Sequence, residues 1–582
     1  MAEKLLKEHL YGDLLAPAPG YSTDFAMGMT YSLSFEAMLT AHLAFGMLGE
    51  MDDNVIQSPH ILLEAVAKSS DKVVVFCNKG GIAVPPTIRK VYSLMERNIF
   101  EVFDKQNVKA NFHPKLWLIR EVNNDDRKDV LLKLIVTSRN LAYTDTIDCI
   151  ACLTGKVGGA SVKNEKHQPL TAFIKAVVDE SNIGEEQKKF VLKLAKDLVR
   201  VEHFDVDAPF EDYDFFPYLF GYDFELGSVE DYLFGSESVI VSPFIDRTML
   251  SRLCLENKNK HTLITRKEYV DRSVFDKFCN KGGIYVALDD LASRGMDLHA
   301  KMYHVWNGRN EQYLYLGSAN ATTSAFERNG EFLLRLKYMY GNNRSAQFLA
   351  DFCEKENSDS KFIPLNEPLE NASAVIKWDA AESAMKDLMC AEDLKARIIH
   401  HRDGRYSVAV TSSAGKLSNE VSVAPLQKKE LQQRWTGRVV FEDMKIDELS
   451  EFYILAATSP DGILHEAIVK IETTGMPSDR DKEIYKGIIK TKKDFFRFIE
   501  LMLSDTPIEY IASEILLKES EGNGNKADET IVFPSLYEKM LKVAATNPKQ
   551  IHEIGRLASK LSNDVVPPAF VKIYKQFVAA LN

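Results

Sequence analysis

Leu298-His299-Ala300-Lys301-Met302, then Leu316-Gly317-Ser318-Ala319-Asn320-Ala321-Thr322 and Asn329-Gly330-Glu331, is the stretch on which the reading of this chain turns. An earlier stretch repeats the pattern more loosely: Phe112-His113-Pro114-Lys115-Leu116-Trp117, then Thr137-Ser138-Arg139-Asn140-Leu141. His-x-Lys occurs at these two places only, and a chain with 13 His produces such a triplet by chance. The pairing carries the information. Ser-x-Asn also occurs only twice, once after each His-x-Lys, 25 and 19 residues from Lys to Asn. Each Ser-x-Asn closes an apolar run read as a strand (132–137 and 313–317), able to pair with the strand beginning at the Lys (115–120 and 301–306). Residues i and i+2 of a strand share a face, so His113 and Lys115 are expected to point the same way. Two carboxylates follow: Asp148 eight residues after Asn140, and Glu331 eleven after Asn320.

This set suits an anionic, phosphorus-centred substrate. Displacement at a phosphodiester gathers negative charge on the equatorial oxygens, and Lys115, Lys301, Asn140 and Asn320 supply cationic and amide donors there. One His can attack phosphorus and split a hard step into two. The other can protonate the leaving oxygen and later activate water. Glu331 and Asp148 can hold a His in the required tautomer. Ser138 and Ser318 complete the candidate set. No metal and no cofactor is called for, because the lysines take over a metal's charge.

Outward from these motifs the chain alternates strands and helices, which points to an α/β sheet. Strands are expected at 25–34, 72–77 and 98–103 before the first motif. Helices are expected at 35–47, 64–67, 86–97, 168–179 and 185–201. A second pass of the same plan begins near Phe224, with strands at 238–241, 261–265 and 284–288, suggesting an internal duplication. Cys77-Asn-Lys-Gly-Gly-Ile82 recurs as Cys279-Asn-Lys-Gly-Gly-Ile284, but at different distances from its His, and is read as coincidence. After Pro364 short strands at 406–410, 421–424, 437–441, 452–457 and 465–471, with turns at Asp403-Gly404 and Asp461-Gly462, suit a small β-sandwich. From Pro477 the pattern is helical, broken by a Gly/Asn/Lys-rich loop at 519–529. The expected division is 1–205, 206–365, 366–475 (β-rich) and 476–582 (helical). The first ~20 residues read as a short helix and a Pro-rich loop.

Composition bounds the rest. The 582 residues are 45% hydrophobic and 27% charged, which excludes disorder of the whole chain. A net charge of -12 excludes a basic, histone-like binder, so nucleic-acid contact needs a local basic surface. Seven scattered Cys make no disulfide framework and suggest a reducing compartment. No apolar run reaches the ~18 residues of a spanning helix, and Met1-Ala-Glu-Lys4 opens no signal pattern. The expectation is a soluble cytoplasmic protein with no membrane partner.

These residues resemble the phospholipase D superfamily, whose signature is His-x-Lys followed by Ser-x-Asn, once per half. The resemblance covers roughly residues 20–345 and is similar to the bacterial phospholipase D-like proteins with extra C-terminal domains. Gly475-Met-Pro477 and Asp494-Phe-Phe496 extend it weakly into the tail. It implies two α/β/α halves with the active site at their interface, and a metal-independent phosphodiesterase working through a phosphohistidine. His113 is then the nucleophile and His299 the acid. The usual motif has Asp five residues after the Lys. Arg120 and Trp306 stand there instead, as in the tyrosyl-DNA phosphodiesterases, which lack this Asp and remain active. That shifts the resemblance toward nucleic-acid-acting branches. The reading is a nuclease on DNA or RNA, of a kind found in phage defence, with a helicase or defence-system partner. A monomer could hold the complete site. The alternatives are a phospholipase or phosphatidyl transferase, and a non-catalytic scaffold subunit of a nucleic-acid-processing complex.

Other features have plainer readings. Cys149-Ile-Ala-Cys152 is a lone pair on an apolar strand, whose cysteines face opposite sides and are read as buried rather than as zinc or redox ligands. His400-His401 is read as a solvated loop. Basic stretches at 251–283 and 482–498 could guide a polyanion, the second with Tyr485, Phe495, Phe496 and Phe498 interleaved. Such a helix is more often a core face with solvated lysines.

Overall fold

The computed structural model describes residues 14–46, 59–142, 146–254, 260–279, 282–287, 297–353, 362–369, 380–416, 421–503, 533–546 and most of 551–581. The expected N-terminal helix, the 519–529 loop and part of the 251–283 stretch lie outside them, as do Asn280 and Lys281 of the second Cys-Asn-Lys-Gly-Gly copy.

Strands β1 (Tyr21–Thr30), β2 (Val73–Asn78), β3 (Ile99–Val102), β4 (Leu116–Asn123), β5 (Val130–Thr137), β6 (Thr146–Ile147) and β7 (Ile150–Lys156) come first. All but β6 form a six-stranded sheet in the order β3-β2-β1-β4-β5-β7. β1, β2 and β3 run parallel and the others antiparallel. β2 is buried along its whole length, as expected of a strand covered on both faces. Its residues sort by alternation. Val73, Val75 and Cys77 pack with the helices Phe35–Gly46 and Pro59–Ser69. Val74 and Phe76 face the other way, with the helices Gln168–Asp179 and Glu185–Leu198.

Strands β8 (Phe210–Tyr218), β9 (Glu237–Val241), β10 (Lys260–Ile264), β11 (Ile284–Ala287), β12 (Asp297–Leu298), β13 (Met302–Gly308), β14 (Glu311–Gly317), β15 (Glu331–Tyr338) and β16 (Phe362–Pro364) follow. Without β12 they form an eight-stranded sheet ordered β16-β11-β10-β9-β13-β14-β15-β8. Its run β11-β10-β9-β13-β14-β15 repeats the order of the first sheet, again with a parallel triple beside antiparallel neighbours. One apolar cluster joins the two sheets, with Phe112, Leu116 and Leu134 from the first beside Phe215, Met302, Leu314 and Leu334 from the second.

Three sequence expectations need correction here. The second sheet begins with β8, not near Phe224. Asp212, Asp214 and Pro217 hide β8 in the sequence, and it is an edge strand, where Pro is tolerated. The expected helix at 86–97 is a 3₁₀ run, Lys90–Asn98, behind Pro85-Pro86. The strands of the motifs begin at Leu116 and Met302, so Lys115 and Lys301 stand just before the ladders.

The β-rich region holds β17 (Lys395–His400), β18 (Tyr406–Thr411), β19 (Ser422–Pro425), β20 (Gln433–Arg434), β21 (Arg438–Met444), β22 (Phe452–Thr458), β23 (Leu464–Lys470) and β24 (Glu472–Thr474). They make two four-stranded sheets, β21-β18-β17-β24 and β20-β19-β22-β23, whose Val408, Val410, Leu455 and Val469 share one core with the helix Ala380–Met389. Gly404 (φ 81°) and Gly462 (φ 86°) take the left-handed turn positions between strands, which other residues adopt at a cost. His400 is not in a loop: it ends β17 opposite Tyr406, ring centroids 4.7 Å apart. The helices Arg480–Ile488 and Lys492–Met502 put Tyr485, Phe495 and Phe498 into the core that also holds Phe35, Tyr92 and Phe452. That is the plainer of the two readings of 482–498. Among the described residues no helix is long and apolar enough to cross a membrane.

Candidate active site

The antiparallel pairs β4/β5 and β13/β14 put the start of one strand beside the end of the next, Leu116 opposite Val136 and Met302 opposite Leu316. Each pairing carries on one residue further, with the N–H of Thr137 donating to Lys115 O (3.1 Å) and that of Gly317 to Lys301 O (3.2 Å). His-x-Lys and Ser-x-Asn therefore meet at one end of each sheet, as the spacing predicts.

Two short parallel clasps then bring the sheets together. In one, Phe112 bridges Gly330: His113 N–H donates to Gly330 O and Gly330 N–H to Asn111 O, both at 2.8 Å. In the other, β6 pairs with β12, and the N–H groups of His299 and Ala300 donate to Ile147 O at 2.9 and 2.7 Å. Each clasp lays a His of one sheet against a carboxylate of the other. His113 Nδ1 lies 2.9 Å from Glu331 Oε2, and His299 Nδ1 lies 2.9 Å from Asp148 Oδ1. An Nδ1–H donated to carboxylate leaves each Nε2 with its lone pair.

The serines hold these carboxylates. Ser138 Oγ donates to Asp148 Oδ1 at 2.7 Å and accepts from Cys149 N–H at 2.9 Å. Ser318 Oγ donates to Glu331 and accepts from Phe332 N–H at 2.9 Å. Thr146 adds a third hydrogen bond to Asp148, at 2.5 Å.

Both lysines are buried, 1% and 0% exposed, while the histidine side chains keep 14% and 15%. The imidazoles are thus the groups a substrate can reach, over a floor of positive charge. Lys115 Nζ lies 2.9 Å from His113 Nε2 and 3.0 Å from its carbonyl, and Lys301 Nζ lies 2.6 Å from the carbonyl of His299. Burial, then the charge of Lys301, pushes the Lys115 ammonium well below its ordinary value. Burial brings Lys301 down to about 8. Burial and the two lysines also lower both histidines, His299 to about 3. The carboxylates diverge. Burial lifts Glu331 to about 7 against the pull of Lys115 and Ser318. For Asp148 burial acts upward, but the hydrogen bonds from His299, Thr146 and Ser138 outweigh it and hold the carboxyl below the usual range. Two buried lysines and two neutral imidazoles thus face one firmly ionised carboxylate and one lifted toward neutrality, and the ammonium groups are the donors available to an anion.

The amides sit differently. Asn140 Oδ1 accepts from Ser32 N–H at 3.4 Å. Asn320 Oδ1 is buried without a hydrogen-bond partner among the described residues. Arg120, five residues past Lys115, is engaged by Asp24 (2.6 Å) on β1 and Asp197 (2.8 Å) on the helix Glu185–Leu198, a tie between the first sheet and that helix.

Besides Ser32 and Thr146, two further residues at the site carry no motif. The Tyr31 ring lies 5.0 Å from that of His113, and Lys115 Nζ stands 5.9 Å over it. Arg266 reaches Leu298 O through Nε (3.1 Å) and Nη2 (3.0 Å) and pairs with Asp297 at 2.7 Å, bracing the residue before His299. Each stands just past the end of a central strand, β1 or β10, the only sequence signal either offers.

Cys149 is buried and Cys152 exposed, which corrects the expectation that both are buried; on a strand the two face opposite ways. Among the described residues no group of three or more His, Cys, Asp and Glu is placed to hold a metal ion.

No family model matches this chain, and no curated protein matches it in sequence. Among solved structures, a crystal structure of the yeast tyrosyl-DNA phosphodiesterase is similar over 57% of this chain and 86% of its own, at 12% identity and a TM-score of 0.37. A point variant of that enzyme is similar over 57% and 87%, at 11% identity and a TM-score of 0.35.

Proposed function

We propose that this chain is a phosphodiesterase of the phospholipase D type, with its two sheets as the two halves of one active site, and that it cleaves DNA or RNA. The observation that carries this is the crossed pairing: each motif's His is oriented by a carboxylate from the other sheet, around two buried lysines. Such an arrangement needs both motifs at once and offers two imidazoles in the same tautomer, each Nε2 carrying a lone pair, that of His113 facing Lys115 Nζ at 2.9 Å.

The reaction then has two steps. His113 Nε2 attacks phosphorus; the N–P bond forms as the P–O bond to the leaving group breaks. His299, protonated, gives its proton to the departing oxygen. His299 then takes a proton from water, whose oxygen attacks phosphorus, and the N–P bond breaks to free His113. Lys115 and Lys301 face the phosphoryl oxygens throughout. Burial, and after it the lysine charges, keep the imidazoles neutral; a bound phosphodiester offsets the lysine part and so favours protonation of the acid. The split between the carboxylates supports the division of roles. Asp148, held ionised, stabilises an imidazolium at His299; Glu331, in its ionised form, accepts Nδ1–H of His113 and leaves Nε2 to attack.

The test is purified protein against labelled single- and double-stranded DNA and RNA, and against phosphatidylcholine, each with and without EDTA. Cleavage of a polynucleotide that survives excess EDTA is the expected result. Cleavage of lipid alone would replace the substrate class. Activity abolished by EDTA and restored by Mg²⁺ would replace the mechanism with metal-assisted hydrolysis. Inertness toward all five would leave a binding subunit.

A further inference from the structure

The clasp that seats His113 has a hold from outside both α/β sheets. The helix Ala380–Met389 packs Ala381, Met385, Leu388 and Met389 into the β-rich core. Lys386, on the same helix and 7% exposed, leaves that core and enters the first sheet's end of the site. Its Nζ donates to Asn111 Oδ1 at 2.7 Å and lies 3.4 Å from Ala110 O. Asn111 is the first residue of the clasp: its carbonyl accepts from Gly330 N–H at 2.8 Å, and its own N–H donates to Asn329 Oδ1 at 3.2 Å. Two residues on, His113 makes the clasp's second backbone bond and the hydrogen bond to Glu331.

We infer that Lys386 is a positioning residue for His113, acting through Asn111, so that the β-rich region completes the site rather than merely accompanying it. This rests on the reading of His113 as a reacting group. The comparison between the clasps supports it. The clasp of His299 is braced by a cation of the second sheet itself, Arg266 on the carbonyl of Leu298. The clasp of His113 takes its cation from the β-rich region, alongside Asn78 Oδ1, which accepts from Phe112 N–H at 2.9 Å. The helix is seated close by at a second point, with Met389 filling the space a side chain at Gly80 would need. Glu382, one turn before Lys386, lies near enough for its charge to act on Tyr31, whose ring borders His113. Lys386→Met keeps the apolar stem but leaves Asn111 Oδ1 without its ammonium donor, so a thermal melt of the full chain accompanies each variant, and Lys386→Arg, which keeps a donor, is the matched control.

Steady-state kinetics and hydrogen exchange read by mass spectrometry on the full chain decide the matter. Lys386→Met and Asn111→Ala should each lower kcat roughly tenfold with KM little changed, because a small displacement of a reacting group costs turnover rather than ground-state binding. The double variant should be no worse than the poorer single, and Lys386→Arg should recover part of the loss. Independently of any activity, Lys386→Met should speed exchange in peptides covering 110–113 and leave those covering 146–149 unchanged. Unchanged exchange at 110–113 overturns the inference. So does a raised KM at unaltered kcat, which would make Lys386 a substrate contact. Should the wild-type protein cleave no phosphodiester, the functional reading fails on its own, while the exchange result still shows whether Lys386 holds the His113 segment.

Discussion

At the scale of single residues, the pattern assigns different consequences to groups lying within one hydrogen bond of each other. His113→Ala and His299→Ala should each lower turnover by roughly three orders of magnitude or more, since the roles are not interchangeable. With an activated nitrophenyl phosphodiester the leaving group needs little protonation. His299→Ala should then accumulate a base-stable, acid-labile phosphoryl adduct at His113, and His113→Ala should trap nothing. Mass spectrometry of the quenched protein reads this. An adduct on His299 would reverse the roles, and one on Ser138 or Ser318 would discard the phosphohistidine; their hydrogen bonds to the carboxylates speak for orienting work instead. Glu331 gives a pH signature. Its pKa is raised in the folded chain, from 4.5 to about 7. Its contribution to stability is therefore fully present below pH 4.5 and is lost as the pH rises through 7. The loss is on the order of 3 kcal/mol. Denaturant titrations at pH 4 and pH 8 should show the wild type losing that much more stability than Glu331→Gln, which cannot titrate. Equal losses would mean that the carboxyl is ionised throughout.

At the scale of elements, the strand ends carry the site, and Gly317 shows how tightly. It is the last residue of β14, at φ 153°, and a Cβ there would run into the backbone carbonyl of Phe332 on β15. The next residue is Ser318, which holds Glu331. Gly317→Ala should cost at least about 2 kcal/mol through backbone strain and the forced separation of the strands, and should lower activity with it. A melt indistinguishable from wild type would show that β14 and β15 can part without consequence. The same scale explains what the sequence concealed. β8 carries three acids and a proline yet pairs along its length with β15, because an edge strand needs only one neighbour. The segment before β3 has the hydrophobic content of a helix but winds as 3₁₀ behind two prolines.

At the scale of the whole molecule, the tail is not separable by composition. Ala424, Phe452 and Ile468 of the β-rich region and Ile484, Phe495 and Phe498 of the helices share one core with Leu33, Phe35, Ile82 and Tyr92 of the segments that cover the first sheet. Phe35 and Phe452 stand 5.2 Å apart, and the buried Glu96 accepts from Ser450 (2.6 Å), from Glu451 N–H (2.8 Å) and from Arg480 (2.6 Å). Ending the chain at residue 365 would expose this apolar surface and remove the donors that Glu96 accepts from. The truncated protein should be insoluble, or should bind a hydrophobic dye and unfold without a cooperative transition. A soluble fragment with a sharp melt would show that the two sheets stand alone.

Legibility from sequence follows the range of the interaction. The strands around each motif, the meeting of His-x-Lys with Ser-x-Asn and the helix at 168–179 are set by local alternation and by pairing between neighbours in the chain, so the sequence by itself determined them; the helix expected at 185–201 stops at Leu198. His113, Lys115, His299 and Lys301 were legible for the same reason. Which carboxylate serves which histidine was not. Asp148 lies near the first motif and Glu331 near the second, yet each orients the histidine of the other, because the clasps join segments more than 140 residues apart in sequence. Tyr31, Arg266 and Lys386 were invisible likewise: each is placed by packing between sheets or between a sheet and the β-rich region, and no spacing along the chain encodes that. Burial did the rest, since only the folded interior lifts Glu331, lowers Lys301 and sets the charge of the site.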